Sequence, residues 1–494
     1  MNDHETSPAT GAPDDKRTVL TFWEKFTYSL GETGVSLSPA IIVGWIIYFY
    51  TGRLDANEQR IVLVSAGALS FLNFFGRLVD SLADPLVGFY SDKWNFKWGR
   101  RIPWVVFGTP FLALFSILLW FPPTGDGLGD IFFRVGVGDF SIPVTTNFFW
   151  IALNLAGFWF FYTVVVAPYL SLLPEITPYN WERLKVSEAM AYNDVVGMVI
   201  GTIGLGAVLT AFSGGLDLGF FKFSNGYEVG SVMIAVVFSL TFFASVALVR
   251  EKPFNQSKAV PFHFFQAMKE SFQNPSFPHY VVAVSAVRLG VDVIVAIIPF
   301  LIVNIVGMSE GAAGGLQGFI VLGSALMFPL VSSLSNKHGK KKMFSLGLFW
   351  FAACVLLLTP VLHFPFLGSA IAGVAAIFGR SMSATDIMFA HCCVVMAAIA
   401  VPVSTQFVLP RAIYADVIDM DEERTGYRRE AMYNGMEGLI TKFAAGIAGA
   451  IVPLLIEHLG GSPGRPWGVL AAPIFCALSL WGAWWVFKGY PIEK

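Results

Sequence analysis

Residues 85–92 have the sequence Pro-Leu-Val-Gly-Phe-Tyr-Ser-Asp, and residues 329–336 have the related sequence Pro-Leu-Val-Ser-Ser-Leu-Ser-Asn. Each stretch ends a long apolar segment, and each is followed by a cluster of Lys and Arg. Matching segments at corresponding positions in two halves are typical of transporters built from parallel repeats, which bind substrate between the halves. One short match can arise by chance, so the repeat needs support from the rest of the chain.

The composition indicates a membrane protein. Of the 494 residues, 13% are charged and 55% are hydrophobic, whereas soluble domains carry about 25% charged residues. So little charge cannot cover a soluble protein of this length, which excludes water-soluble enzymes, nucleic-acid binders and disordered scaffolds. The expected partners are therefore the lipid bilayer and a small-molecule substrate, with no nucleic acid, and the chain is expected to act as a monomer.

Twelve segments have the length of about 20 mainly apolar residues that a membrane-spanning helix requires. The predicted spans lie near residues 27–51, 62–90, 102–121, 148–173, 190–212 and 229–249, and then 280–306, 314–335, 343–363, 384–410, 434–457 and 467–488. The predicted fold is an all-α membrane protein with twelve transmembrane helices in two six-helix halves. Its regions are a disordered tail (1–22), an N-terminal half (23–249), a linker (250–279), a C-terminal half (280–488) and a second tail (489–494).

The apolar run 367–378 has only 12 residues, too few to span, and is predicted to be interfacial or re-entrant.

The orientation of the chain in the membrane follows from Lys and Arg, which accumulate in cytoplasmic loops. Most basic residues lie in loops on the side of both termini, and six lie in loops on the other side: Arg53, Arg60, Arg134, Lys222, Arg380 and Arg465. The protein is therefore expected in the inner or plasma membrane, with both termini cytoplasmic.

Charged residues inside the second span indicate a cation site. Asp80 and Asp84 are four residues apart on one helix face, and Arg77 lies one turn before Asp80. An ionisable group at the bilayer centre costs at least about 2.5–3.5 kcal/mol on insertion scales, so such groups usually mark ion pathways. Carboxylate oxygens suit a hard cation such as Na⁺. The alternative is that Arg77 neutralises the two acids in a structural ion cluster.

The other intramembrane charges are candidates for substrate binding or coupling. Arg288 and Asp292 in the seventh span either neutralise each other or contact substrate. Asp194 in the fifth span is either part of a cytoplasmic gate or a pocket-lining residue. Lys442 in the eleventh span needs an anionic partner, which Asp80 or Asp84 can provide across the halves. Glu32 in the first span is expected to form helix–helix hydrogen bonds.

Further candidates are aromatic residues and a loop motif. Trp159 and Tyr162 in the fourth span either stack on substrate or pack in the core. Asp92, followed by Arg100 and Arg101, is predicted to form a latch that closes the cytoplasmic side, although basic loop residues also satisfy orientation alone. A nucleotide-binding loop, a nucleophile motif and metal-ligand spacing are absent from the sequence. The chain is thus expected not to be an enzyme and to use no cofactor beyond a coupling ion, Na⁺ or H⁺.

The segment from Gly76 to Asp92, together with the Gly-Arg-Arg-Ile-Pro sequence at 99–103, resembles the glycoside–pentoside–hexuronide:cation symporter family of the major facilitator superfamily. Further similar motifs lie at 167–177, 415–419 and 425–430. The resemblance covers almost the whole membrane region and implies twelve helices that work by alternating access. It also implies that Asp80 and Asp84 coordinate the cation, with Arg77 and Lys442 beside them.

The sequence departs from that family at the sugar site. Melibiose permease, a member of the family, has acidic, basic and aromatic sugar-binding residues at positions matching Val35, Ser36, Val166, Leu170 and the vicinity of Ala191. The expected function is cation-coupled symport of a sugar-like or glycoside-like solute. The alternatives are symport of an amphiphile such as a lysolipid, and a non-transporting membrane assembly factor or sensor.

Overall fold

The structure is a computed structural model that describes residues 19–53, 61–94, 96–125, 127–137, 140–177, 179–219, 221–251, 264–378, 380–426 and 430–492. Most described residues of the N-terminal half are helical. Its helices are α1 (Phe22–Thr51), α2 (Ala66–Lys93), α3 (Ile102–Leu118), α4 (Thr146–Ile176), α5 (Asn180–Val199), α6 (Leu205–Ala211) and α7 (Gly226–Ala247). A π-helical turn, Ile200–Gly204, joins α5 to α6, so these two form one membrane-length segment.

The C-terminal half repeats this arrangement after a short linker helix. The linker helix is α8 (Phe264–Gln273), and the helices that follow are α9 (Ser276–Pro299), α10 (Glu310–His338), α11 (Lys340–Leu356), α12 (Phe366–Ile377), α13 (Ala384–Thr425), α14 (Glu430–Leu459) and α15 (Trp467–Phe487). A π-helical segment, Phe300–Val306, extends α9. The side of the bundle where α1 begins and α15 ends is called the terminal side here, and the other is called the opposite side.

Length and composition make ten helical segments of the described chain suitable for crossing a membrane. The two other predicted spans are α2, which carries Arg77, Asp80 and Asp84, and α3, which has 17 residues. Together these segments give the predicted fold class, two six-helix halves in the major facilitator arrangement. The short run near 367–378 forms α12, which packs against α13 so closely that a Cβ on Gly368 would lie 1.8 Å from the Ile387 carbonyl oxygen.

Two features differ from the sequence-based expectation. The opposite-side connections contain two antiparallel hairpins, β1 (Ile131–Val137) with β2 (Phe140–Thr145) and β3 (Leu216–Asp217) with β4 (Lys222–Phe223). The first is rich in β-branched and aromatic residues, which favour strands. Helix α13 also extends to Thr425, well beyond the predicted span end at 410. Its last turns are polar, so the apolar pattern that marks a span ends before the helix does. A Ser383 capping box begins this helix, and Gly426 at φ +75° ends it.

The two halves are closed against each other on the opposite side. Asn304 in the π-helical segment donates to the carbonyls of Gly52 and Gly461, both at 3.0 Å, and accepts from the Tyr48 hydroxyl at 3.1 Å. The Tyr227 hydroxyl also donates across the halves to Glu310 at 2.6 Å. On the terminal side, a cavity of about 290 Å³ separates the halves. Hydrogen bonds therefore join the halves on the opposite side, and a cavity lies between them on the terminal side.

Candidate functional site

A cluster of charged side chains joins the two halves at the contact of α2 and α14. The Lys442 ammonium on α14 donates to Asp80 Oδ1 at 3.0 Å and to Asp84 Oδ2 at 2.7 Å. Asp80 also accepts from the Thr163 hydroxyl of α4 at 2.7 Å. The two acids differ in exposure, since the Asp80 side chain is 1% exposed and the Asp84 side chain 42% exposed. Asp80 is thus the enclosed carboxylate and Asp84 the accessible one.

Small residues on α14 allow the close approach that brings Lys442 to the acids. A Cβ on Gly446 would lie 3.1 Å from the Phe74 ring, and one on Gly449 would lie 3.1 Å from Asn73 Cβ. The Asn73 amide donates to the Gly449 carbonyl at 3.0 Å, and the Ser70 hydroxyl donates to the Ala450 carbonyl at 2.6 Å. Close backbone contact through small residues with polar links is a common way for membrane helices to pack.

Arg77 contacts an aromatic ring more closely than it contacts the acids. Its guanidinium lies 3.7 Å from the centroid of the Trp159 ring, whereas its nearest nitrogen is 3.8 Å from Asp80 Oδ2. A guanidinium over a Trp face gains a favourable cation–π interaction. The shorter contacts of Lys442 show that Lys442 is the main neutralising group of the two acids in this conformation.

The Arg288–Asp292 pair forms within α9, with Arg288 Nε 3.0 Å from Asp292 Oδ2. Asp292 also lines a small cavity of about 40 Å³ together with Arg77 and Trp159, whereas the Arg288 side chain is 49% exposed. Tyr162 donates its hydroxyl to the backbone carbonyl of Val35 at 3.1 Å. Tyr162 therefore ties α4 to α1, while Trp159 and Asp292 lie beside the charged cluster.

Asp194 lines the terminal-side cavity, where it accepts a hydrogen bond from the Ser36 hydroxyl. Glu32 and Arg411 line the same cavity. Neither residue is predicted from the sequence to form part of a site. Glu32 is a single polar group in its span, and Arg411 directly follows the predicted end of the tenth span at residue 410. The extension of α13 places Arg411 against the cavity.

The predicted terminal-side latch has acidic partners that the sequence analysis missed. Arg100 and Arg101 contact Glu175 at the end of α4, at 2.5 and 3.2 Å. The Asp92 side chain lies outside the described residues. In the C-terminal half, Lys340 at the start of α11 pairs with Asp416 on α13. The same kind of loop cation thus pairs with the corresponding helix in each half, which supports the internal repeat.

Glu251 holds the beginning of α3 through three backbone hydrogen bonds. Its carboxylate accepts from the N–H groups of Arg100, Arg101 and Ile102 at 2.5, 2.7 and 2.7 Å. A carboxylate near a helix N-terminus satisfies unpaired N–H groups and interacts favourably with the helix dipole. This contact ties Glu251, four residues after the end of α7, to the start of α3.

Replacing Glu251 by Ala is expected to lower the free energy of unfolding by about 1–2 kcal/mol, as loss of an N-cap does. The measurement is thermal unfolding of the purified variant in detergent. Glu188→Gln is the matched control, because Glu188 is an exposed carboxylate of α5. An unfolding temperature equal to that of the control would show that the contact does not stabilise the fold.

Comparisons with known proteins agree with this fold. The model of the MFS/sugar transport protein family matches residues 27–493. The isoprimeverose transporter of Lactiplantibacillus pentosus is 26% identical, over 50% of this chain and 46% of its own length. The sodium-dependent lysophosphatidylcholine symporter 1-B of Danio rerio is 22% identical over 91% of this chain and 81% of its own length. The solved D-xylose-proton symporter has a TM-score of 0.59 at 13% identity, over 95% of this chain and 99% of its own. The chain thus matches slightly less than half the length of the isoprimeverose transporter.

Proposed function

Because the chain belongs to the MFS/sugar transport protein family, we propose that it is a secondary active symporter. It moves a small organic solute together with Na⁺ or H⁺ across the cell membrane by alternating access. The contact of Lys442 with Asp80 and Asp84 carries this proposal, since it places a charged group of one half on a carboxylate pair of the other. The proposal needs no catalytic residue and no cofactor, and a single chain provides the whole path.

Lys442 and the coupling cation compete for the same carboxylates, and this competition links cation binding to the contact between the two halves. In the described conformation the Lys442 ammonium neutralises Asp80 and Asp84, which holds α14 against α2. A Na⁺ ion or a proton on either acid replaces part of that attraction and weakens the link between the halves. A ligand shifts a two-state equilibrium by its difference in affinity for the two states. Cation binding therefore favours a conformation in which α14 and α2 are less tightly joined.

The terminal side is assigned to the cytoplasm because the loop cations concentrate there. Arg100, Arg101 and Lys340, which pair with acids of their own half, are on this side. The cavity of about 290 Å³ thus opens toward the cytoplasm, and the described state is the one that exchanges solute with the cell interior.

The first candidate solute is a glycoside or a similar small molecule, supported by the family model and the isoprimeverose transporter. A specific observation favours a second candidate, an amphiphile such as a lysolipid. Most of the cavity lining comes from α5 and α10, including the apolar side chains of Met190, Met198 and Phe328. Leu170, at the position of a sugar-stacking Trp in the resembling family, lines this cavity too.

Uptake into proteoliposomes tests the proposed function. Isoprimeverose and lysophosphatidylcholine are supplied separately, with an imposed Na⁺ gradient, an imposed H⁺ gradient, or neither. Symport predicts that one gradient accelerates uptake of a solute, and that Asp80→Asn removes the acceleration. Uptake at the same rate with and without each gradient contradicts coupling. Solute binding without any uptake indicates the third possibility, a sensor or assembly factor.

A further inference from the structure

We propose that the terminal-side cavity binds a solute with a cationic nitrogen at one end and an anionic group at the other. The proposal rests on the proposed transport function and names its substrate class. Glu32 on α1 and Asp194 on α5 line the N-terminal wall of the cavity, and Arg411 on α13 lines the C-terminal wall. The site therefore has acidic groups on one half of the protein and a basic group on the other.

The acidic wall has hydrogen-bonding capacity that the protein does not use. Glu32 Oε2 is buried and has no hydrogen-bond partner among the described residues. Asp194 accepts from the Ser36 hydroxyl, a neutral donor. A buried polar atom without a partner is costly, and a hydrogen bond to a charged group is stronger than one between neutral groups. An ammonium group beside the two carboxylates supplies a donor for Glu32 Oε2 and a charged partner for Asp194.

The basic wall fits the other end of the solute. Arg411 is exposed, and within the described part of the chain no ion pair links it to Glu32 or Asp194. A guanidinium binds a carboxylate or a phosphate through two parallel hydrogen bonds. A solute with both charges therefore connects the N-terminal half to the C-terminal half and draws the two walls of the cavity together.

The rest of the lining argues against a neutral sugar in this cavity. The apolar lining includes Leu170, Leu173, Met190, Met198, Phe328 and Phe407. The uncharged polar side chains of the lining are Ser187 and Ser324. A sugar ring presents several hydroxyl groups, and each needs a partner when it leaves water. Two hydroxyl side chains leave the charged groups as the main polar partners, and three charged groups of both signs match a zwitterion better than a neutral ring.

The size of the cavity fits a small zwitterion or the head group of a larger molecule. Its volume of about 290 Å³ is just below the range of about 300–1,000 Å³ for ligand pockets. The same charge pattern occurs in free zwitterions and in lipid head groups. Apolar walls between α5 and α10 can accommodate an acyl chain attached to such a head group, so the experiment has one arm for each source.

The test is isothermal titration of the full chain in nanodiscs of phosphatidylglycerol, a lipid without a cationic group. The soluble probes are phosphocholine, its two charged parts (choline and inorganic phosphate) and the neutral sugar methyl β-galactoside. The lipid probes are lysophosphatidylcholine and lysophosphatidic acid with the same acyl chain. We expect the probes that carry both charges to bind at least about tenfold more tightly than the others, since tenfold corresponds to about 1.4 kcal/mol.

Variants assign the binding to the proposed residues. Glu32→Gln combined with Asp194→Asn, and separately Arg411→Gln, should each weaken binding of the zwitterionic probe at least about tenfold. Arg411→Lys should restore part of it, since Lys keeps the charge but loses the two-pronged geometry. Lys341→Gln is the matched control, because Lys341 lies on α11 outside this cavity.

The wild-type probe series decides the question even where a variant fails to fold. Equal affinity for phosphocholine and methyl β-galactoside, or no binding of either zwitterionic probe, overturns the proposal. Binding of lysophosphatidylcholine without binding of free phosphocholine supports the site and identifies a lipid source. Zwitterion binding as expected, together with uptake that ignores Na⁺ and H⁺ gradients, supports the site and contradicts the proposed symport.

Discussion

Asp80→Asn is expected to reduce gradient-driven uptake at least about 100-fold. Asp80 is 1% exposed and receives hydrogen bonds from both Lys442 and Thr163. Removing one partner of a buried, hydrogen-bonded charge pair costs about 2–5 kcal/mol, and every 1.4 kcal/mol is a factor of ten. The Asn side chain keeps the shape but loses the charge that binds a cation. Uptake with and without an imposed Na⁺ gradient measures the effect.

Because Asp84 is more exposed than Asp80, its replacement is expected to reduce uptake less. The Asp84 side chain is 42% exposed, so solvent compensates part of the loss in Asp84→Asn, and a smaller reduction is expected than in Asp80→Asn. Glu423→Gln is the control, since Glu423 is an exposed carboxylate of α13. Equal, small effects of Asp80→Asn and Glu423→Gln would refute the assignment of Asp80 as a cation ligand.

Lys442 provides an independent check on the same cluster. Lys442→Gln removes the ammonium that bridges Asp80 and Asp84, so the two carboxylates are left without their neutralising group. Affinity for the coupling cation should then rise, because the cation no longer competes with the lysine, while uptake falls because release slows. Cation-dependent thermal stabilisation measures the affinity, since a ligand that binds the native state stabilises it more as its concentration rises above Kd.

The membrane-spanning helices could be predicted because they depend on local composition. Long apolar runs are visible in sequence windows, and the rule that a span needs about 20 residues does not depend on tertiary contacts. The acid pair could also be predicted, since Asp80 and Asp84 are four residues apart on one helix. Lys442 could be named from the sequence only as a possible partner of these acids, because it is more than 350 residues away in the chain.

Tertiary packing decided the features that the sequence did not reveal. Glu32, Asp194 and Arg411 come from three helices and share a cavity only after the halves assemble. Arg411 was placed in a loop because hydropathy falls at the end of its span, although α13 continues to Thr425. The β1–β2 hairpin was overlooked because its strands are too short for a span. A window of sequence has no information on such long-range contacts.

Gly314→Leu is expected to lower transport more than tenfold by preventing closure of the opposite side. Gly314 on α10 faces the other half at a close crossing, where a Cβ would lie 2.7 Å from Gly206 Cα and 2.6 Å from the Thr202 carbonyl oxygen. Both neighbours are backbone atoms, which cannot move aside as a flexible side chain can. Overpacking of this kind costs about 1–3 kcal/mol, which is enough to shift a two-state equilibrium from closed to open.

Gly315→Leu is the matched control for this substitution. Gly315 is the next residue of the same helix, and a Cβ there would meet no atom within 4 Å, so the same change in size and helix propensity leaves the crossing intact.

The conformation is measured with Ile47→Cys in a background without the four native cysteines, since Ile47 is 3% exposed. A membrane-impermeant maleimide added from the opposite side should label Cys at 47 faster in Gly314→Leu than in Gly315→Leu. If the two variants label at equal rates but only Gly314→Leu loses transport, Gly314 affects transport by some means other than closure of the halves. If the two variants transport equally well, the helix crossing tolerates a side chain at Gly314.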